Sequence, residues 1–205
     1  MIIRRGAEAE IHLTTWLGRE VVSKHRVPKN YRITVLDNRL RSARTKKEAK
    51  LISEAKQLGV STPIIYDIDL HEHKIVMEYI KGPRVKDIIS DMDTAERKEI
   101  FRKIGQDIGI LHKNNIVHGD LTTSNILYEN NELYFIDFSL GENVEDIESK
   151  GVDLHLLMEA FESTHPELMD EFKYIIEGYS ENFELASEVV KKIKEIIRRG
   201  RYTHD

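Results

Sequence analysis

The chain has 205 residues, with 31 Lys and Arg against 36 Asp and Glu for a formal charge of −5, and 40% of its residues are hydrophobic. That length and apolar share suit one domain or two tightly packed lobes and exclude wholesale disorder. The absence of cysteine excludes disulfides, thiolate zinc sites, iron–sulfur clusters and cysteine nucleophiles, and fits a reducing compartment.

The first residues, Met1-Ile-Ile-Arg-Arg, have no apolar run behind their basic start, and no later stretch reaches the ~18 uncharged apolar residues of a membrane helix. A soluble, cytoplasmic protein without membrane contact is expected. Ile11–Trp16 and Arg19–Lys24 predict two strands joined by Leu17-Gly18. Tyr31–Arg44 predicts an exposed basic helix. Thr45–Leu58 predicts a second one, with Ala49, Ile52, Ala55 and Leu58 on one face and Gly59 as its stop. Thr62–Leu70 and Lys74–Ile80 predict strands, and Gly82-Pro83 marks a break. Helices are then expected over Val85–Ser90 and Thr94–Lys113, and a hairpin over Ile126–Ile136 with its turn at Glu129-Asn-Asn-Glu. Further helices are expected over Asp153–Phe161, Pro166–Glu177 and Phe183–Arg199. The fold class is therefore α+β: a strand-rich part at 1–81, a mostly helical part with a hairpin at 82–197, and a basic tail at 198–205.

Charge is unevenly spread. Lys24–Lys50 holds ten Lys and Arg against two acids, and Lys191–Arg201 holds six against one, whereas Glu129–Glu188 holds 17 acids against two lysines. Two basic surfaces on an acidic body suit an anionic partner such as nucleic acid, and solvated helix faces are the bland alternative.

The chemistry is concentrated in His118-Gly119-Asp120-Leu121-Thr122-Thr123-Ser124-Asn125 and in Asp137-Phe138-Ser139. The intervening hairpin folds Asp137 back beside Asn125, so both side-chain oxygens can reach one hard cation. Mg²⁺ takes few protein oxygens and completes its shell with water and phosphate. Asp120 then faces a nucleophile. Neutralised phosphate charge plus a carboxylate that orients a hydroxyl is the requirement of phosphoryl transfer. A lone His-x-Asp or Asp-Phe is weak, but the full string with its hairpin is strong. Lys24 can pair with phosphates as a point charge. Glu48 can hold Lys24, the plainer reading being a helix acid favoured by the dipole. The loop Gly6-Ala7-Glu8-Ala9-Glu10 can cover phosphates through backbone N–H groups, although one glycine is a poor signal. Backbone groups of Glu78 and Ile80 can bond an adenine edge, with Val22, Met77 and Leu127 as apolar walls. Asp153 opens a buried-looking helix and is expected to anchor the Asp120 loop, as a structural rather than a catalytic group.

These residues resemble the protein-kinase superfamily from Gly6 to about Phe161. Lys24, Glu48, Asp120, Asn125 and Asp137 fall where that superfamily has its phosphate lysine, helix glutamate, catalytic aspartate and two metal ligands. Gly6-Ala-Glu-Ala, Lys24–Arg32, Leu36-Asp37-x-x-Leu40, Arg44-Thr45-x-x-Glu48-Ala49, the His118–Asn125 string and the basic tail further resemble the small atypical kinase subunits of the KEOPS complex, related to the RIO kinases. That resemblance implies a minimal two-lobed kinase fold, ATP with Mg²⁺ (or Mn²⁺), weak Ser/Thr phosphorylation including of itself, and ATPase activity with a partner. Implied partners are the threonylcarbamoyl transferase of the complex, a further small KEOPS subunit, and tRNA through the basic segments. The implied process is threonylcarbamoyl-adenosine formation at tRNA position 37. Ser42, Thr45 and Ser53 are candidate self-phosphorylation sites. The chain begins near Gly6, so a free subunit rather than part of a fused transferase–kinase is expected.

The sequence departs from ordinary kinases at Gly119 for arginine, Thr122 for the catalytic-loop lysine, and Ser139 for glycine. Only 16 positions separate Asp137 from Asp153, too few for a long activation segment. A small-molecule kinase of the aminoglycoside or choline type shares His-Gly-Asp but usually carries more C-terminal helices. A nucleotide-binding scaffold without turnover would not need all five polar residues.

Overall fold

The computed structural model describes residues 1–6 and 8–201. An antiparallel sheet of order β1-β2-β3-β5-β4 is built from β1 (Ile2–Arg5), β2 (Ala9–Trp16), β3 (Arg19–Arg26), β4 (Ile65–Asp69) and β5 (Lys74–Glu78). The β2–β3 turn carries positive φ at both Leu17 (47°) and Gly18 (78°), the mirror-image turn whose twist suits a tight hairpin. β1 was not expected. All four of its residues are exposed, so no apolar alternation marks it.

Helix α1 (Thr34–Gln57) runs unbroken where two helices were expected. Nor is its first half simply exposed, because Asp37 and Thr45 are buried. It ends at Leu58 and Gly59, the latter at φ 89°, as the sequence indicates. Ala49 packs on Ile75 and Met77 of the sheet. Leu51, Ile52 and Ala55 join the other core with Phe135 and Phe138. One helix thus ties the sheet to the helical part.

Next come α2 (Val85–Ile88) with a 3₁₀ turn at Ile89–Asp91, and α3 (Thr94–Lys113), whose Asp93 forms a capping box with Glu96. The hairpin β7 (Ile126–Glu129) and β8 (Glu132–Phe135) turns at Asn130 and Asn131, both with positive φ. The short pair β6 (Ile116–Val117) and β9 (Glu142–Asn143) brackets it. Helix α4 (Ile147–Thr164) starts earlier than expected because Asp146 caps it, accepting from the Ser149 amide at 2.7 Å. Asp153 therefore lies in its second turn. Pro166–Glu171 is 3₁₀ rather than α, followed by α5 (Phe172–Asn182) and α6 (Ala186–Arg201).

Helices α3 and α5 approach backbone to backbone. A Cβ on Gly105 would collide with the Ile175 carbonyl, and one on Gly178 with the Arg102 carbonyl. Gly105→Ala is expected to force the helices apart and destabilise the protein by about 3 kcal/mol, as overpacking does. A urea midpoint unchanged from wild type would contradict this contact.

Candidate active site

A cavity of about 350 Å³ lies between the sheet and the helical part. Val22 and Met77 line it from the sheet, Leu127 and Ile136 from the hairpin side, and Tyr79–Arg84 lines its back. Glu78 and Ile80 also line it. The Glu78 amide already donates to the Ile64 carbonyl at 2.8 Å. Of the Glu78 backbone groups foreseen for an adenine edge, only the carbonyl is therefore available. A second cavity of about 380 Å³ adjoins the first at Lys24 and Asp137 and extends to Gly6, Glu8, Arg26 and Ser139.

Where the cavities meet, the structure brings together Lys24, Glu48 and Asp137. Lys24 Nζ donates to Glu48 Oε1 at 2.5 Å and to Asp137 Oδ1 at 2.7 Å. Burial alone would lower the Lys24 pKa, but the charges of Glu48 and Asp137 outweigh it and hold the ammonium above its ordinary value. Burial would likewise raise the Asp137 carboxyl. The Lys24 charge, its hydrogen bond and the Ser139 hydroxyl, donating at 2.5 Å, instead hold it well below the carboxylate range. Both groups are therefore ionised at neutral pH.

Glu48 has a second cation, because Arg26 Nη2 donates to Glu48 Oε2 at 2.6 Å. Sequence reasoning missed Arg26. The available signal was period-two spacing, since residues 24 and 26 of a strand share a face. Glu8 is bound by Arg44 Nη1, and that hydrogen bond keeps its carboxyl below the ordinary value. Gly6 donates its amide to the Ala9 carbonyl at 2.9 Å. The Gly6 amide is thus not free to cover phosphates as expected, although Gly6 and Glu8 do line the second cavity. Ala7 lies outside the described residues.

The Asp120 loop is positioned from below. Asp153, 2% exposed, accepts from the His118 amide at 2.7 Å and the Gly119 amide at 2.9 Å, and pairs with His112 Nε2 at 3.3 Å. Burial would raise its carboxyl, but the hydrogen bonds it accepts from His112 and from the His118 amide hold it below the ordinary value. Asp153 thus anchors the loop, as the sequence reading expects. Gly119 sits at φ 78°, and a Cβ there would strike the Leu140 carbonyl. That packing explains why no arginine stands here. Half-buried Asp120 accepts from Asn125 Nδ2 at 2.9 Å through its carboxylate and also through its carbonyl. This leaves the Asn125 amide oxygen for another partner. The Ile136 amide donates to the Asn125 carbonyl at 2.9 Å, which sets Asp137, at φ 67°, beside Asn125. No group of three or more His, Asp or Glu able to hold a metal occurs among the described residues. An amide oxygen beside an ionised carboxylate nevertheless suits Mg²⁺, which needs few protein ligands.

A RIO domain is matched over residues 19–171. The chain is 42% identical to the KEOPS complex subunit Bud32 of Pyrococcus abyssi, over 98% of this chain and 96% of that protein. The chain belongs to the RIO-domain family and, within it, to the Bud32 group. It is also 45% identical to a probable bifunctional tRNA threonylcarbamoyladenosine biosynthesis protein of Methanosphaera stadtmanae. There the match covers 98% of this chain but only 36% of the relative, so the chain spans about a third of that protein. Among solved structures, the Rio2 kinase of Chaetomium thermophilum in an ADP/Mg²⁺-phosphoaspartate complex superposes with a TM-score of 0.67 at 16% identity, over 98% of this chain and 70% of that one. WaaP in complex with acyl carrier protein does so with 0.70 at 13%, over 100% and 88%.

The RIO-domain fold, a minimal kinase-like α+β architecture, accounts for the short passage between Asp137 and α4. Two sequence expectations need correction on this scaffold. Thr45 is fully buried and does not fit the self-phosphorylation role expected of it, whereas Ser42 is half-buried and Ser53 exposed, and their bonds to the Leu70 and Ala49 carbonyls leave that expectation standing. The Lys24–Lys50 run is also not an open basic face. Lys24 and Arg26 are buried, and Arg41 and Arg44 are bound to Asp37 and Glu8. Of the tail, residues 202–205 lie outside the described residues. No helix among the described residues is long and apolar enough to cross a membrane.

Proposed function

We propose that the chain is an ATP-dependent Ser/Thr phosphotransferase and partner-stimulated ATPase, acting as a KEOPS subunit in threonylcarbamoyl-adenosine formation at tRNA position 37. The boundary of its two lobes falls at residues 81–82. The observation that carries this reading is the Lys24–Glu48–Asp137 junction at the meeting point of an apolar cavity and a polar one. Adenine enters the apolar cavity, against Val22, Met77 and Leu127, and bonds the Glu78 carbonyl and the Ile80 backbone. Lys24 holds the α- and β-phosphates. Asn125 and Asp137 would hold Mg²⁺, which when bound would supply positive charge against the phosphates. Asp120, braced by Asn125, orients the attacking hydroxyl or water and receives its proton. Asp153 acts through the loop amides rather than on the substrate.

The names of the relatives, a KEOPS complex subunit and tRNA threonylcarbamoyladenosine biosynthesis proteins, support a place in that assembly; the transferase and tRNA are the partners proposed, reached through the basic segments that remain exposed. The test is release of inorganic phosphate from Mg·ATP by the purified chain, alone and with the KEOPS transferase subunit and tRNA. Stimulation by the partner is expected. Asp120→Ala is expected to lower turnover about 10³-fold while leaving ATP affinity nearly unchanged. Partner-independent phosphorylation of small hydroxyl compounds would favour a small-molecule kinase instead, and no turnover under any condition would favour a scaffold. A calorimetric loss of ATP affinity in Asp120→Ala would reject the orienting role.

A further inference from the structure

The first strand carries an arginine aimed at the phosphate region. β1 and β2 pair as Ile2 with His12, then Arg4 with Ile11, then Arg5 with Glu10, so the register slips between Ile2 and Arg4. In an unbroken antiparallel ladder Ile3 would oppose Ile11, and Arg4 would point to the other face. The extra residue makes Arg4 oppose Ile11 instead. Bulges of this kind re-aim a side chain next to a site. Ile11 in turn opposes Lys24 on β3. Arg4, Ile11 and Lys24 therefore form one cross-strand row on one face of the sheet, with Arg4 two strand spacings, about 10 Å, from Lys24. Ile3 and Arg4 both line the apolar cavity, and Arg4 also lines the polar one that holds Gly6, Lys24 and Asp137. Arg5, on the opposite face, pairs with Glu10 at 3.2 Å. Arg4 has no hydrogen-bond or ion-pair partner among the described residues, in contrast to Lys24, Arg26 and Arg44.

We infer that Arg4 is a second phosphate-binding cation, delivered by the β1 bulge, which clasps the di- or triphosphate of the nucleotide from the sheet side. The inference rests on the nucleotide reading above. A guanidinium offers a planar fork of donors that matches phosphate oxygens, which the point charge of Lys24 does not. The alternative is a basic residue that merely blunts an exposed edge strand against pairing with other chains. The two differ in what they do to ligand affinity.

The experiment is calorimetric titration of the full-length chain with Mg·ATP, Mg·ADP and adenosine. Arg4→Ala is expected to weaken ATP and ADP about tenfold, the effect of losing one hydrogen-bonded charge, with adenosine unchanged. Arg4→Lys is expected to recover part of the loss. Arg5→Ala removes the same charge one residue away, on the other face, and is expected to leave all three affinities unchanged. Wild-type ATP affinity in Arg4→Ala would overturn the inference, as would an equal loss in Arg5→Ala or an equal loss for adenosine. A wild-type protein that binds no nucleotide would overturn the underlying site reading as well, so the two failures are distinguishable.

Discussion

Asp137→Asn is expected to lower Mg·ATP turnover by about 10³-fold or more while leaving the fold in place. The substitution removes the charge and keeps the shape. Asn tolerates the left-handed backbone that Asp137 adopts at φ 67°, and its amide can still accept from the Ser139 hydroxyl. Lys24 is not left alone, because Glu48 holds it at 2.5 Å. What disappears is the ionised oxygen set beside Asn125, which the burial-opposing charge of Lys24 keeps deprotonated at every physiological pH. Stability should therefore change little while chemistry is lost. Asp137→Ala tests the same carboxylate at the added cost of a non-glycine residue in the left-handed region without a side chain that favours it. Phosphate release and a thermal melt, measured on both variants, separate the two effects. Near-normal release in Asp137→Asn would reject the metal role of this carboxylate, whatever the melt showed.

The local parts of the site were legible in the sequence, and the long-range parts were not. His118–Asn125 is one continuous loop, and Asn130-Asn131 announces the turn that returns Asp137 to it, so periodicity and turn chemistry suffice. Glu48 as partner of Lys24 was within reach because its helix has a readable apolar face around Ala49 and Ile52. Period-two spacing puts Arg26 on the face of Lys24, but nothing in that spacing says that one glutamate will serve both cations. The first half of α1 was misread for a related reason. Its buried positions include Asp37, which Arg41 holds at 2.7 Å, and Thr45, polar residues that extend no apolar stripe from one half of the helix to the other. β1 carries no pattern at all, being exposed throughout, and its register slip is a property of two paired strands rather than of either. The charge count set Asp37 and Glu48 against the ten cations of the segment, but could not show that each of them serves two cations or that Glu8 joins from outside it.

The largest stability effect is expected from Glu48→Ala, a loss of about 3–5 kcal/mol, enough to unfold a protein of ordinary stability at moderate temperature. Glu48 is 1% exposed and lies between Lys24 at 6% and Arg26 at 4%. Its two oxygens are divided between them, 2.5 Å to the ammonium and 2.6 Å to the guanidinium. Truncation leaves two buried cations facing one another across a cavity, with Asp137 remaining for Lys24 and Glu8 Oε2, 3.7 Å away, for Arg26. Glu48→Gln keeps the volume and one acceptor, and should cost clearly less. The discriminating variant replaces all three groups at once by apolar residues of similar size, Lys24→Met with Arg26→Met and Glu48→Leu. Replacing a buried ion cluster by packed apolar residues is often neutral or stabilising, so the triple variant is expected to recover part of the denaturant midpoint lost by Glu48→Ala, short of full recovery because Asp137 loses the Lys24 charge that offsets its burial. It should have no phosphate-releasing activity, because Lys24 is gone. Recovery of stability without activity would show that the cluster exists to hold a charge at the phosphate site and not to hold the sheet on α1. A triple variant as unstable as Glu48→Ala would instead assign the cluster to the fold.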